Sequence, residues 1–285
     1  MKRERSVVKA GNFCIGLIAA AAIFCFFLCF RLNMEVPKLC KVYGAYPVDK
    51  HGQIGTESSA EEGELLFPYL FCRTGTCNLE KISFPEFSGM GIEGVRDGAY
   101  SDTAKGYYMK DAWAFSGGAE PEKLTEPVAA SRVQVVYEGH KERREDIGKL
   151  VLYPKKMEKG AIKGNGDGYE ENGVLRRNMM AGERIRIQKI TCLPQMDGFQ
   201  VTVSGRTLEE LKNHWFQKDD DMSFQVKIKR NLFIVENPAL QITYETPKGE
   251  QKTQIISELG GWDNMQEDWA FADVRKYLKG NEVAQ

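Results

Sequence analysis

Residues 10–30, AGNFCIGLIAAAAIFCFFLCF, carry no charged side chain and are closed off by Lys9 and Arg31. An α-helix rises about 1.5 Å per residue, so a run of this length matches the roughly 30 Å of a bilayer's hydrocarbon core. A helix that is apolar on every side must be covered by something, and the reading that follows is a transmembrane helix over 10–30 with a short cytoplasmic tail at 1–9. A cleavable signal would have a shorter apolar core and then a small-x-small site. Here the alanines Ala19–Ala22 sit in the middle of the run, which ends on Phe-Phe-Leu-Cys-Phe-Arg. A lipoprotein signal fits no better, because Cys25, Cys29 and Cys40 follow Phe24, Leu28 and Leu39 rather than small residues.

The flanks set the expected orientation. Lys2, Arg3, Arg5 and Lys9 precede the run, and Arg31, Lys38 and Lys41 follow it. A basic tail ahead of an uncleaved apolar segment is the pattern of a signal-anchor. The expectation is a single-pass protein of the cell membrane, N-terminus cytoplasmic, C-terminal region extracytoplasmic. The reverse topology would make the remainder a tethered cytosolic module with reduced cysteines.

Charge narrows the partners. The chain has net charge -1, and residues 1–31 hold five Lys/Arg against one Glu, so the rest carries -5. A mildly acidic body offers no field for DNA or RNA, and no nucleic-acid partner is expected. The expected partners are the membrane, through residues 10–30, and a protein or surface polymer met by the exported part.

Beyond the anchor, residues 31–63 are polar and mixed, with Pro37, Pro47 and HGQIGTESSAEEGE, and read as a linker or stalk. From residue 64 the pattern turns to strands. VQVVYE (133–138) and IGKLVLYP (147–154) are rich in β-branched residues, and LLFPYLFC (65–72) is apolar but demoted to an edge by Pro68. In GFQVTVSG (198–205) and MSFQVKIK (222–229) apolar and polar residues alternate, the period of a half-buried strand. LQITYET (240–246), PKG and EQKTQIIS (250–257) predict a hairpin. The glycine-rich, charged segment 155–182 reads as a long loop joining two β modules, 64–155 and 183–285.

Two short helices are expected. Thr207 with Glu210 forms a capping-box pattern, with Leu208, Leu211 and Trp215 on one face. Asp263 with Gln266 resembles another, running through Phe271, Val274 and Leu278 to Gly280. The fold class predicted is mainly β: an antiparallel, β-sandwich-like extracytoplasmic region over 64–285 with two short helices, preceded by one transmembrane helix. Strands do not alternate with long helices, which argues against a parallel α/β sheet.

No stretch carries a catalytic signature. GMGIEG (89–94) has the spacing of a dinucleotide loop, but VRDGAYSD after it does not open a helix, and the segment reads as a glycine-rich turn. The three histidines, His51, His140 and His214, are far apart, and neither HExxH nor GxSxG occurs. Asn165, Asp167, Glu170 and Glu171 place hard oxygens on a glycine-rich loop and are weak calcium candidates, without the distal bidentate Glu of a full calcium loop. Cys72 and Cys77 close a short loop in CRTGTC and are the disulfide candidate if the chain is exported. Tyr107, Tyr108, Trp113 and Phe115 suit a sheet core better than a ligand platform. No cofactor is expected. The expected function is an anchored β-rich binding or interaction module; the alternative is an anchored extracytoplasmic hydrolase using an Asp/Glu pair.

Overall fold

The computed structural model describes residues 16–28, 37–52, 54, 64–72, 78–87, 90–103, 107–119, 124–164, 168–171, 173–195, 199–227, 234–259 and 262–263. Residues 16–28 form helix α1, exposed along its whole length, with Ile18, Phe24, Phe26 and Phe27 each more than 60% accessible. No helix among the described residues is long and apolar enough to cross a membrane. The flanking residues of the expected span, 10–15 and 29–30, lie outside the described residues.

The remainder is built from β-strands, and most pairings are antiparallel. The first sheet contains β1 (Lys38–Leu39), β3 (Glu64–Cys72), β5 (Met90–Thr103) and β6 (Tyr107–Ala119), in the order β1-β3-β6-β5. Pro68 lacks an N–H, and it lies just outside the two residues of β3, Tyr69 and Leu70, that β1 covers. The glycine-rich passage expected as a turn is the start of β5. Its pairing with β6 slips between Met90 and Ile92, between Ile92 and Val95, and between Asp97 and Tyr100, and each slip contains a glycine: Gly91, Gly94 and Gly98. Glycine at a bulge keeps a long strand paired while relieving its register.

The second sheet orders β18 (Trp262–Asp263), β15 (Ile234–Glu236), β2 (Val42–Val48), β8 (Arg143–Pro154), β7 (Val128–Tyr137) and β4 (Leu79–Ser83). Two results here differ from expectation. Residues 38–48 are not part of a stalk: β2 is an interior strand whose Val42, Ala45 and Val48 are buried. The tyrosines and the proline of VYGAYPV masked an apolar stretch that lies between two neighbours. In addition, β2 runs parallel to both β8 and β15, so the architecture is not wholly antiparallel. Asp263, expected to cap a terminal helix, pairs in β18 with Ile234; residues 264–285 lie outside the described residues.

Two further sheets face each other. One joins β10 (Tyr169–Glu171), β11 (Val174–Ala181), β14 (Asp221–Lys227) and β13 (Gln200–Val203), with β9 (Ile162–Gly164) also on β11; the other is β12 (Arg186–Leu193), β16 (Ala239–Glu245) and β17 (Gln251–Ile256). Between them lies a core that includes Leu175, Ile187, Val203, Phe224, Ile242 and Leu259. The segment 155–182, expected as a linking loop, thus supplies three strands of this sandwich. In β11 the alternate residues Leu175, Met179 and Ala181 are buried. Arg177 falls in the same alternation, and that hid the period in the sequence.

The expected helix at 206–216 is a single turn, α2 (Leu208–Leu211). Glu210 accepts the Thr207 backbone N–H at 2.7 Å and its hydroxyl at 2.9 Å. Leu211 is buried as the helical face predicts. Trp215 is not on that face. Its ring lies under the guanidinium groups of Arg184 and Arg186, 4.7 and 5.0 Å from its centroid, beside the bridge between Ile185 and Phe216. The predicted hairpin is present as β16–β17, closed by Thr246 N–H to Glu250 O and Gly249 N–H to Thr246 O.

Candidate functional site

The chain changes halves after β8, β14, β15 and β17, and a polar cavity forms at the joint. Strand β8 runs out of the six-stranded sheet into a 3-10 turn, Lys155–Glu158, and then into β9. Further on, β15 leaves the sandwich to pair with β2, and Asn237 turns the chain back. Asn237 O accepts the Ala45 N–H at 3.1 Å, and its side-chain amide donates to Ala45 O at 2.9 Å. Ala45, Val151 and Tyr153 from one half pack with Leu193, Ala239 and Ile255 from the other.

The cavity at this joint has a volume of about 180 Å³, with Pro47, Glu158, Arg177, Gln254, Ser257 and Glu258 among its walls. Arg177 donates to both Glu258 O, at 2.7 Å, and its carboxylate, at 3.0 Å. Tyr153 donates its hydroxyl to Glu158 at 2.9 Å. Burial, with Glu158 and then Glu258 adding negative charge nearby, holds the Tyr153 hydroxyl well above its ordinary range, so it stays a donor. The Gln254 side chain donates to Glu158 O and Ile162 O and accepts from Ile162 N–H. A volume of this size is below the several hundred Å³ that encloses an ordinary organic ligand. Glu158 and Glu258 are the two carboxylates that share it, and each already has a structural partner.

Of the residues singled out in the sequence as site candidates, Cys72, Glu170 and Glu171 lie among the described residues. Cys72 ends β3 opposite Tyr107, and Cys77 lies outside the described residues, as do Asn165 and Asp167. Glu170 and Glu171 are exposed neighbours on β10, where successive side chains point to opposite faces. Glu170 accepts the Gly173 N–H across the β10–β11 turn, and Glu171 pairs with Arg176 at 3.3 Å. Among the described residues no group of three or more His, Cys, Asp or Glu is placed to hold a metal ion. His51 and His140 sit in exposed turns, and His214 meets Phe216 edge-on at 4.7 Å. Cys192 is a free thiol, and burial pushes it up to about 12, where it is a poor nucleophile.

One arrangement had no signal in the sequence. Glu145, almost wholly buried, accepts the Leu39 N–H at 2.7 Å and the Arg143 Nε–H at 2.7 Å. Arg143 also donates to Pro37 O and lies over the Tyr137 ring at 4.8 Å. This network fixes the point where the chain enters the fold. Its members lie about a hundred residues apart, and only their joint burial identifies them.

No protein-family model matches this sequence, and no curated protein does. Among solved structures, the chain is similar to the YadV chaperone (9% identity, 79% of this chain and 100% of that chain, TM-score 0.23). It is also similar to the adhesin InvE of Yersinia pseudotuberculosis (8% identity, 78% of this chain and 58% of that chain, TM-score 0.20). A third is the collagen adhesin of S. aureus (10% identity, 76% of this chain and 91% of that chain, TM-score 0.18). These neighbours are β-rich chaperone and adhesin structures, and the mainly-β, largely antiparallel description of this chain rests on its own strand pairings.

Proposed function

We propose that this chain is a single-pass membrane protein whose exported β-rich body serves as an interaction module. The observation that carries the reading is the uncharged run 10–30, whose described part is a helix with its apolar side chains turned outward and uncovered by the β body. Exposing so many large apolar groups to water is unfavourable by roughly 25 cal/mol per Å², and a lipid environment removes that cost. The basic tail before the run supports a cytoplasmic N-terminus.

The clamp at Glu145 adds a geometric consequence. Only residues 31–36 separate the apolar run from the fixed Pro37–Leu39 segment. At about 3.3–3.6 Å per residue, the body begins within roughly 25 Å of the bilayer. Such a module meets partners at the membrane surface, either a second membrane component or a polymer lying close to it. Alkaline carbonate extraction of membranes tests the anchor. The full-length chain should remain in the pellet, and its release into the supernatant with peripheral proteins would refute the reading.

A second reading, an anchored hydrolase working through a carboxylate pair, has one observation in its favour: Glu158 and Glu258 wall the same cavity. Turnover of glycoside or ester substrates by the purified chain, abolished in both Glu158→Gln and Glu258→Gln, would establish it. No turnover across such a panel would dismiss it.

A further inference from the structure

On the sandwich, a groove of about 520 Å³ is walled by Lys159, Lys163 and Lys252, with Glu183 the acidic residue among its walls. Its construction is specific in two ways. The first concerns its floor, which includes two glycines. A Cβ on Gly160 would stand 2.1 Å from Gln254 Oε1, and a Cβ on Gly182 would stand 2.8 Å from Lys163 Cε. The stem of Lys163 therefore lies against the bare backbone of Gly182, which positions its ammonium group at the groove. The second concerns charge. Lys252 is shared with Glu250 at 3.4 Å, whereas Lys159 and Lys163 have no ion-pair partner among the described residues. Three ammonium groups against the carboxylates of Glu183 and Glu250 leave a small positive excess here, on a body whose overall charge is negative.

We propose that this groove is a binding site for a phosphate group, with Lys159 and Lys163 as its principal donors and Lys252 completing the rim. Ammonium groups donate as compact charges from several directions. That suits the several oxygens of a phosphate, which lysine meets as a point charge. The site stands on this geometry alone and does not depend on whether residues 10–30 cross a membrane. The phosphate could belong to a soluble or polymeric ester or to a lipid headgroup, and the test separates these sources.

The full-length chain in phosphatidylcholine nanodiscs, titrated calorimetrically with inorganic tripolyphosphate, should bind at one site with an affinity that falls as salt rises. The Lys159→Gln/Lys163→Gln double variant should bind at least about tenfold more weakly at an unchanged thermal midpoint. Lys212→Gln, which removes a lysine paired with Glu209 elsewhere, should bind as the parent does. Gly182→Ala keeps every charge but displaces Lys163, and should weaken binding as well. Competition by phosphatidylglycerol in the same discs assigns the site to a headgroup; undiminished binding there assigns it to a soluble or polymeric phosphate. Equal binding by the double variant, or an equal loss in Lys212→Gln, overturns the proposal.

Discussion

Glu145 and Leu39 are 106 residues apart, yet the carboxylate of one holds the backbone N–H of the other at 2.7 Å inside the fold. Removing the carboxylate leaves that N–H without its partner and Arg143 without its counter-charge. Glu145→Ala should lower stability by about 3 kcal/mol, read from denaturant unfolding of the full-length chain. Glu145→Gln, which keeps an acceptor, should cost less. Equal, negligible losses would show that the entry of the chain is not clamped there.

The glycines at the joint make a graded prediction. A Cβ on Gly168 would stand 2.0 Å from Glu258 O and close to the Leu259 backbone, and one on Gly160 would strike the buried Gln254 amide. Gly139, at φ +72, has open space around its Cβ position. Alanine at 139 should cost about 1 kcal/mol from the left-handed backbone alone. Alanine at 168 or 160 should cost roughly 2 kcal/mol or more, because backbone or a fully bonded amide has to move. Thermal midpoints of the three variants rank them directly.

Strand content was largely legible because it rests on local alternation. Met222, Phe224 and Val226 are buried and their neighbours are not, as the period requires. The errors arose where a buried role falls to an unexpected residue type. Arg177 occupies an inward position in β11, and its charge is met by Glu258 from a strand end eighty-one residues later. Gly91, Gly94 and Gly98 read as turn residues, but they are bulges in a paired strand. The helix beginning at Thr207 had the correct cap and the wrong length. Ile185 claims Phe216 for a bridge, and Arg184 and Arg186 take Trp215, so tertiary contacts override the helical face. The joint and its cavity were invisible, since their residues come from six separated segments.

The cap of α2 carries a pH signature. Thr207, through its backbone N–H and then its hydroxyl, with a smaller contribution from Arg206, holds the Glu210 carboxyl below its ordinary value of 4.5. A carboxyl depressed in the folded state stabilises above its unfolded pKa, and that contribution is lost as pH falls through the folded value. Carboxyl-detected NMR should show the Glu210 midpoint below 4.5 and rising toward that value in Thr207→Ala. An unchanged midpoint would remove the cap as its cause.

Thiol chemistry separates buried from reactive cysteines. With its thiol raised to about 12, Cys192 holds on the order of a thousandfold less thiolate near neutral pH than an ordinary cysteine. Peptide-mapped alkylation should label Cys192 slowly in the native chain and rapidly once it is unfolded. Native labelling at the denatured rate would contradict the shielding of this half-buried side chain.

Protease shaving of intact, wall-stripped cells carrying a C-terminal epitope tag reads which side of the membrane the β-rich body occupies. The proposal predicts loss of the tag while a cytosolic control survives, placing the β-rich body outside the membrane. A tag that stays protected until lysis would contradict it and leave the body as a cytosolic module on a membrane tether.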